Sequence, residues 1–195
     1  MTKPSPERYS AVAVVLHWAM ALGIFALIGI GLTMKHGNIP KAQVVQLFQL
    51  HKSIGILILL LVIVRLAWRL VQAPPALPSV LPALERKAAH AGHAALYFFM
   101  LALPLSGWAL VTTSRFNIPT VLFGLVVWPP MPFLADSADK AAIHEVMEAF
   151  HKYGAYVLIA VLAVHIGAAL RHAVKGDAPL SRMSLFGGKA GGSAK

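Results

Sequence analysis

No cysteine occurs anywhere in the 195 residues. Disulfides, thiolate metal ligands and covalent c-type haem attachment are therefore excluded. Acidic side chains are nearly as scarce, seven Asp and Glu against seventeen Lys and Arg, and none of the seven falls in the long apolar runs. A metal-ion channel or a carboxylate proton relay would need such groups at membrane depth, so both lose support. No internal repeat and no nucleic-acid-binding motif appears. The formal net charge of +10 then fits anionic headgroups and membrane topology rather than nucleic acid.

What the chain has in abundance is apolar sequence: 58% hydrophobic residues, 12% charged, and a mean hydropathy of +0.71. These values mark an integral membrane protein. Four apolar segments, roughly Ala11 to Met34, Ile54 to Val71, Ala91 to Thr112 and Tyr153 to Ala173, each approach the ~20 residues that cross ~30 Å of hydrocarbon as a helix. The expectation is an all-α, four-helix membrane bundle forming one domain over 1–195, with helices near 11–34, 50–71, 88–112 and 150–173 and a flexible tail at 186–195. The first segment follows Lys3 and Arg8 as a signal peptide would. It is too long for an h-region, lacks a small-residue cleavage site and contains His17 and Trp18, so it reads as a mature helix. Eleven of the seventeen Lys and Arg lie in the two tails, the second connection and the helix ends that adjoin them, which places both termini in the cytoplasm.

The stretch APPALPSVLP, residues 73 to 82, is a stiff connection between helices two and three. The longest connection, from Thr113 to Phe150, contains PTVLFGLVVWPPMPF, too short and proline-rich to span and suited to the outer interface. ADSADKAAIHEVMEAFHKYG follows as an amphipathic approach to helix four, with Asp136 or Ser137 as its cap.

Against this background the imidazoles stand out, because a strongly hydrogen-bonding group at membrane depth needs something to engage it. His151 and His165, fourteen residues apart, lie about 40° from alignment and about 21 Å apart along a helix. His17 begins helix one near the inner face and His51 begins helix two near the outer face. By depth, His17 pairs with His165 and His51 with His151. His90 and His93, on one face of helix three and also near the inner side, can stand in for His17 or His165. His172 reads as interfacial, and His36 and His144 as solvated. A single membrane histidine is often no more than an interhelical hydrogen bond, but two imidazoles facing each other at matched depth are what a six-coordinate haem iron requires in a bundle core, and the chain offers two such pairs.

LHWAMAL at 16 to 22, LHKSIG at 50 to 55, RLAWRL with PPALP at 65 to 78, AHAGHAALYFFMLALPLSGW at 89 to 108, HKYGAYVLIAVLAVHIGAALRH at 151 to 172 and DAPLSRM at 177 to 183 together resemble the bacterial cytochrome b561 family in order over nearly the whole chain. The resemblance implies a multi-pass inner-membrane protein with two b haems, and it favours His17 with His165 for the inner haem and His51 with His151 for the outer one. It further implies electron transfer from an outer-face donor, in its sharpest form superoxide, to ubiquinone, making the chain an oxidoreductase or electron carrier. Related proteins serve as cytochrome b subunits for a partner oxidoreductase, which is the alternative role. A haem-free, histidine-based transporter is a further alternative. Lys52 and Lys152, each following an outer histidine, read as propionate contacts or as an anion-steering patch with Lys35, Lys41 and Arg115. Trp18, Trp108, Arg65 and Arg69 are interfacial candidates for contacting quinone, though belt and topology roles are commoner.

Overall fold

A computed structural model of the chain describes residues 8–76, 81–175 and 182–184. Four helices dominate it: α1 (Ala11–His36), α2 (Lys41–Val71), α3 (Ala83–Thr113) and α4 (Lys140–Val174), all long and apolar enough to cross a membrane. The tail at 186–195, residues 77–80 of the stiff connection and most of DAPLSRM lie outside the described residues.

Each helix starts and stops for a local reason. Ser10 caps α1, its hydroxyl accepting from the Ala13 N–H at 3.3 Å. Pro40 and Pro82 precede α2 and α3, where the fixed φ of proline suits a helix entry and its missing N–H costs nothing. The expected cap of the fourth helix is corrected. Asp139 stands at the cap position of α4 without a side-chain cap bond, while Ser137 Oγ accepts from the Asp139 N–H at 3.2 Å in the preceding turn. Three helices also begin earlier than the apolar segments do, α2 at Lys41, α3 at Ala83 and α4 at Lys140. Hydropathy marks hydrocarbon, whereas the helix continues wherever backbone bonding allows. The 35 residues of α4 make roughly 52 Å of helix against ~30 Å of hydrocarbon. The surplus projects at the end opposite the termini.

At that same end the apolar, aromatic piece expected to lie in the interface contains a β-hairpin. β1 (Thr120–Leu122) pairs antiparallel with β2 (Val126–Trp128), Val121 opposite Val127. Phe123 and Gly124 form the turn with φ of +50° and +76°, and the Leu125 N–H donates to the Leu122 carbonyl at 2.9 Å. Two successive positive φ values are the hairpin geometry whose twist matches the strands.

Successive helices pack side by side, α1 on α2, α2 on α3 and α3 on α4. Met20, Ile24, Ile58, Val62, Leu96, Leu103 and Leu158 form the buried core midway along them. Small residues set the closest approaches, since lipid tails offer helices no hydrophobic drive to associate. A Cβ on Gly154 would sit 3.0 Å from Leu103 Cδ2, so α4 meets α3 through that glycine. Large apolar side chains such as Leu22, Phe25, Ile63 and Val164 face outward, as expected of a lipid-facing surface.

Candidate functional site

The core layer divides two sets of imidazoles. At the hairpin end, His51 of α2 and His151 of α4 face each other with ring centroids 6.2 Å apart and planes at 67°. His151 is held from behind: Nδ1 lies 2.9 Å from Ser106 Oγ and 3.1 Å from the Leu103 carbonyl oxygen. Because that carbonyl only accepts, and Ser106 spends its own proton on the same oxygen at 2.8 Å, Nδ1 must carry the hydrogen. Nε2 is left as a bare lone pair, the arrangement by which outer groups orient a ligating histidine. His51 Nδ1 is buried without a hydrogen-bond partner. Glycines let the neighbouring helices come close to both rings. A Cβ on Gly107 would stand 3.2 Å from His151 Cε1, and one on Gly31 would stand 3.7 Å from His51 Cε1.

At the other end three rings gather. His17 of α1 and His165 of α4 are 6.4 Å apart at 60°, and His93 of α3 is 5.9 Å from His165 at 63°. His90 is exposed and joins neither set. Two imidazoles bound on opposite sides of one metal, each with a bond of about 2 Å, have ring centres about 6 Å apart. The separations at both ends meet that requirement, and the donor set is the neutral nitrogen pair that haem iron takes. Among the described residues no cluster of three or more His, Asp or Glu is placed to hold a bare metal ion.

The remaining candidates fall into place around these sets. Lys52 does not project from the hairpin end as a free cation: it is 8% exposed, and its ammonium donates to the Pro119 carbonyl at 3.0 Å. Gln49 and Ser53 join it in tying β1 to α2, Gln49 Nε2 to the same carbonyl at 3.0 Å and Phe123 N–H to Ser53 Oγ at 3.0 Å. Lys152 is exposed, with its ammonium over the Tyr153 ring. Lys35 bonds Tyr156 at 2.6 Å, and Arg115 lies over Phe116. Trp18 and Trp108 donate to the Met183 and Pro129 carbonyls, tying the carboxy-terminal segment to α1 and the third connection to α3. His144 is half-buried and within 3.2 Å of Thr113 Oγ1, so it is not simply solvated. His172 approaches Glu85 at 3.8 Å. Sequence reading missed the Ser106 support and the hairpin that closes over α2. The signal for the first lay in PLSGW, where a hydroxyl and a glycine follow a proline inside a helix.

Residues 8–185 match the family model described as prokaryotic cytochrome b561. The chain belongs to that family. It is 33% identical to cytochrome b561 homolog 2 of Escherichia coli strain K12 over 181 residues, covering 92% of each chain. Cytochrome b561 homolog 1 of the same organism is 32% identical, over 91% of this chain and 97% of its own length. A protein of Yersinia pestis named probable superoxide oxidase CybB is 29% identical, over 91% of this chain and 96% of its own length. This member of the cytochrome b561 family is thus a multi-pass protein of the bacterial inner membrane that binds haem b and transfers electrons. The haem-free transporter reading gives way to that membership.

Proposed function

We propose that the chain is a di-haem cytochrome, with His51 and His151 as axial ligands of an outer haem and His17 and His165 as those of an inner one. The observation that carries this reading is the pair of imidazole sets about 21 Å apart along α4, each at the spacing that one haem iron takes. Bound haem iron supplies reversible one-electron chemistry. The chain's own residues supply position and insulation. Ser106 and the Leu103 carbonyl fix the His151 ring, Gly31 and Gly107 admit the neighbouring helices, and the Ile58, Val62, Leu158 layer keeps titratable groups out of the space between the sets. His93 stands at a similar spacing from His165, and the preference for His17 as ligand rests on the family resemblance. Both termini are cytoplasmic, which puts the hairpin on the outer face.

The physiological reaction in this reading is oxidation of superoxide outside and reduction of ubiquinone in the bilayer. Two superoxide anions each lose one electron to become dioxygen, and ubiquinone takes two electrons and two protons to become ubiquinol. The name of the Yersinia pestis relative supports the donor, and the exposed Lys152 supplies a cation near the outer set. Purified protein should contain two haems per chain by pyridine haemochrome assay and reduce ubiquinone analogue when superoxide is supplied. One haem per chain, or reduction indifferent to superoxide dismutase, refutes the reading; in the latter case a donor subunit takes the place of superoxide.

A further inference from the structure

A guanidinium sits between the helices of the inner set with no carboxylate among the described residues to balance it. Arg65 lies in α2, six residues before its end, and is half-buried. Its Nη1 donates to the Ala13 carbonyl at 3.0 Å and its Nε to the Tyr97 hydroxyl at 3.1 Å. Ala13 is four residues before His17 on α1, and Tyr97 four residues after His93 on α3, so each anchor is about one turn from an imidazole. Arg69, one turn nearer the end, is exposed and lies over the Tyr97 ring at 5.8 Å. Arg8, Tyr9, Arg65, Trp68, Arg69 and Tyr97 line one cleft there.

The commonest role for an arginine near a helix end is to reach the headgroups and fix topology. Arg69 fits that role. Arg65 does not, because its donors turn inward to a backbone carbonyl and a phenol. None of the described acids reaches it either. Glu85 is engaged by Arg171 at 3.2 Å and His172 at 3.8 Å. Asp136, Asp139, Glu145 and Glu148 belong to the opposite end of the bundle, and Glu7 and Asp177 lie outside the described residues. A guanidinium carries five N–H donors in a planar fork. The two bonds leave the rest of the fork, and all of the charge, for an anion of matching shape, and a carboxylate is that anion.

We infer that Arg65, held by Tyr97 and reinforced by Arg69, binds a propionate carboxylate of the haem placed between His17 and His165. The inference rests on the inner-haem reading above. A cation beside the cofactor favours its electron-rich state, so Arg65 raises the midpoint potential of the inner haem relative to a neutral residue.

The test compares full-chain, haem-loaded Arg65→Gln and Arg65→Lys proteins with the parent by potentiometric titration and by the propionate bending modes in resonance Raman spectra. In Arg65→Gln the reduction equilibrium of one haem should fall about tenfold, or ~60 mV for a one-electron couple, with a shifted propionate mode. Arg65→Lys should recover most of the potential, because the charge returns, but not the Raman band, because the fork does not. Two haems at parental potentials with parental Raman bands in Arg65→Gln overturn the inference. If Arg65→Gln loses a haem, retention at near-parental potential in Arg65→Lys supports it, and loss in both variants overturns it, leaving Arg65 as a packing tie. A parent with a single haem, or His17→Ala retaining both, sinks the inner-haem reading itself and is distinguishable from either result.

Discussion

Ser106→Ala tests whether the support behind His151 has a function beyond packing. The substitution removes one acceptor of the Nδ1–H, at 2.9 Å, and leaves the Leu103 carbonyl at 3.1 Å. Losing a group that orients a metal-bound histidine costs about 10- to 100-fold in affinity. The surviving carbonyl places this variant at the lower limit, about tenfold, or ~1.4 kcal/mol. The net worth of one intramolecular hydrogen bond, about 0.5–1.5 kcal/mol, leads independently to the same size. The assay is the rate at which detergent-solubilised protein yields one of its two haems to excess apomyoglobin. Ser106→Ala should lose its outer haem about ten times faster, with the other haem unaffected. Thr113→Ala is the control, because it removes a similar hydroxyl contact, 3.2 Å from Nδ1 of His144, at a histidine with no assigned ligand role. Equal loss rates in Ser106→Ala and parent would show that the ring is oriented by packing alone.

Other outcomes follow from the same geometry. Gly107→Val should abolish the outer haem, because even a Cβ there stands 3.2 Å from the His151 ring, whereas Gly31→Ala, with 3.7 Å to His51, should retain it; haem counting distinguishes them. His93→Ala should keep two haems while His17→Ala keeps one, and the reverse result would transfer the ligand role to His93. Lys152→Gln alone should flatten the salt dependence of reduction by superoxide, since steering by an exposed charge is screened by ions. Lys52→Gln, which breaks the bond to Pro119, should instead quicken amide exchange in β1; a salt effect equal to that of Lys152→Gln would restore Lys52 to the steering patch.

Helices were legible because hydrocarbon imposes a length and a composition that nothing else in the chain imitates. Their outer extensions were not, since Lys41 to Leu50 and Lys140 to Phe150 are polar enough to end a hydropathy segment and still carry on the helix. The nearness of His17 to His165 and of His51 to His151 was readable from depth alone, because a helix converts residue number into distance. The third ring at the inner end was readable only as an ambiguity. His90 and His93 share a helix face in sequence, and the pitch of α3 against α4 exposes one and delivers the other to His165. The hairpin was hidden because Phe123 adopts a positive φ that its side chain does not favour, so no Asn-Gly pair announces the turn.

The two ends also differ in how tightly their imidazoles are specified, and that difference bears on direction. At the hairpin end His151 is pinned by a hydroxyl and a carbonyl, and the segment around His51 is sewn to β1 by Gln49, Lys52 and Ser53. At the other end none of His17, His93 and His165 is held by a hydrogen bond among the described residues, and the Arg65 cation is bonded to Ala13 and Tyr97, each one turn from an imidazole. A fixed ligand field with little room for rearrangement suits one-electron exchange with a small donor arriving from water. A nearby cation lowers the energy of the reduced state at the inner end, so it favours electrons residing there. Under the proposed function both features favour transfer from the hairpin end towards the termini, the direction that oxidation outside and quinone reduction near the inner haem require.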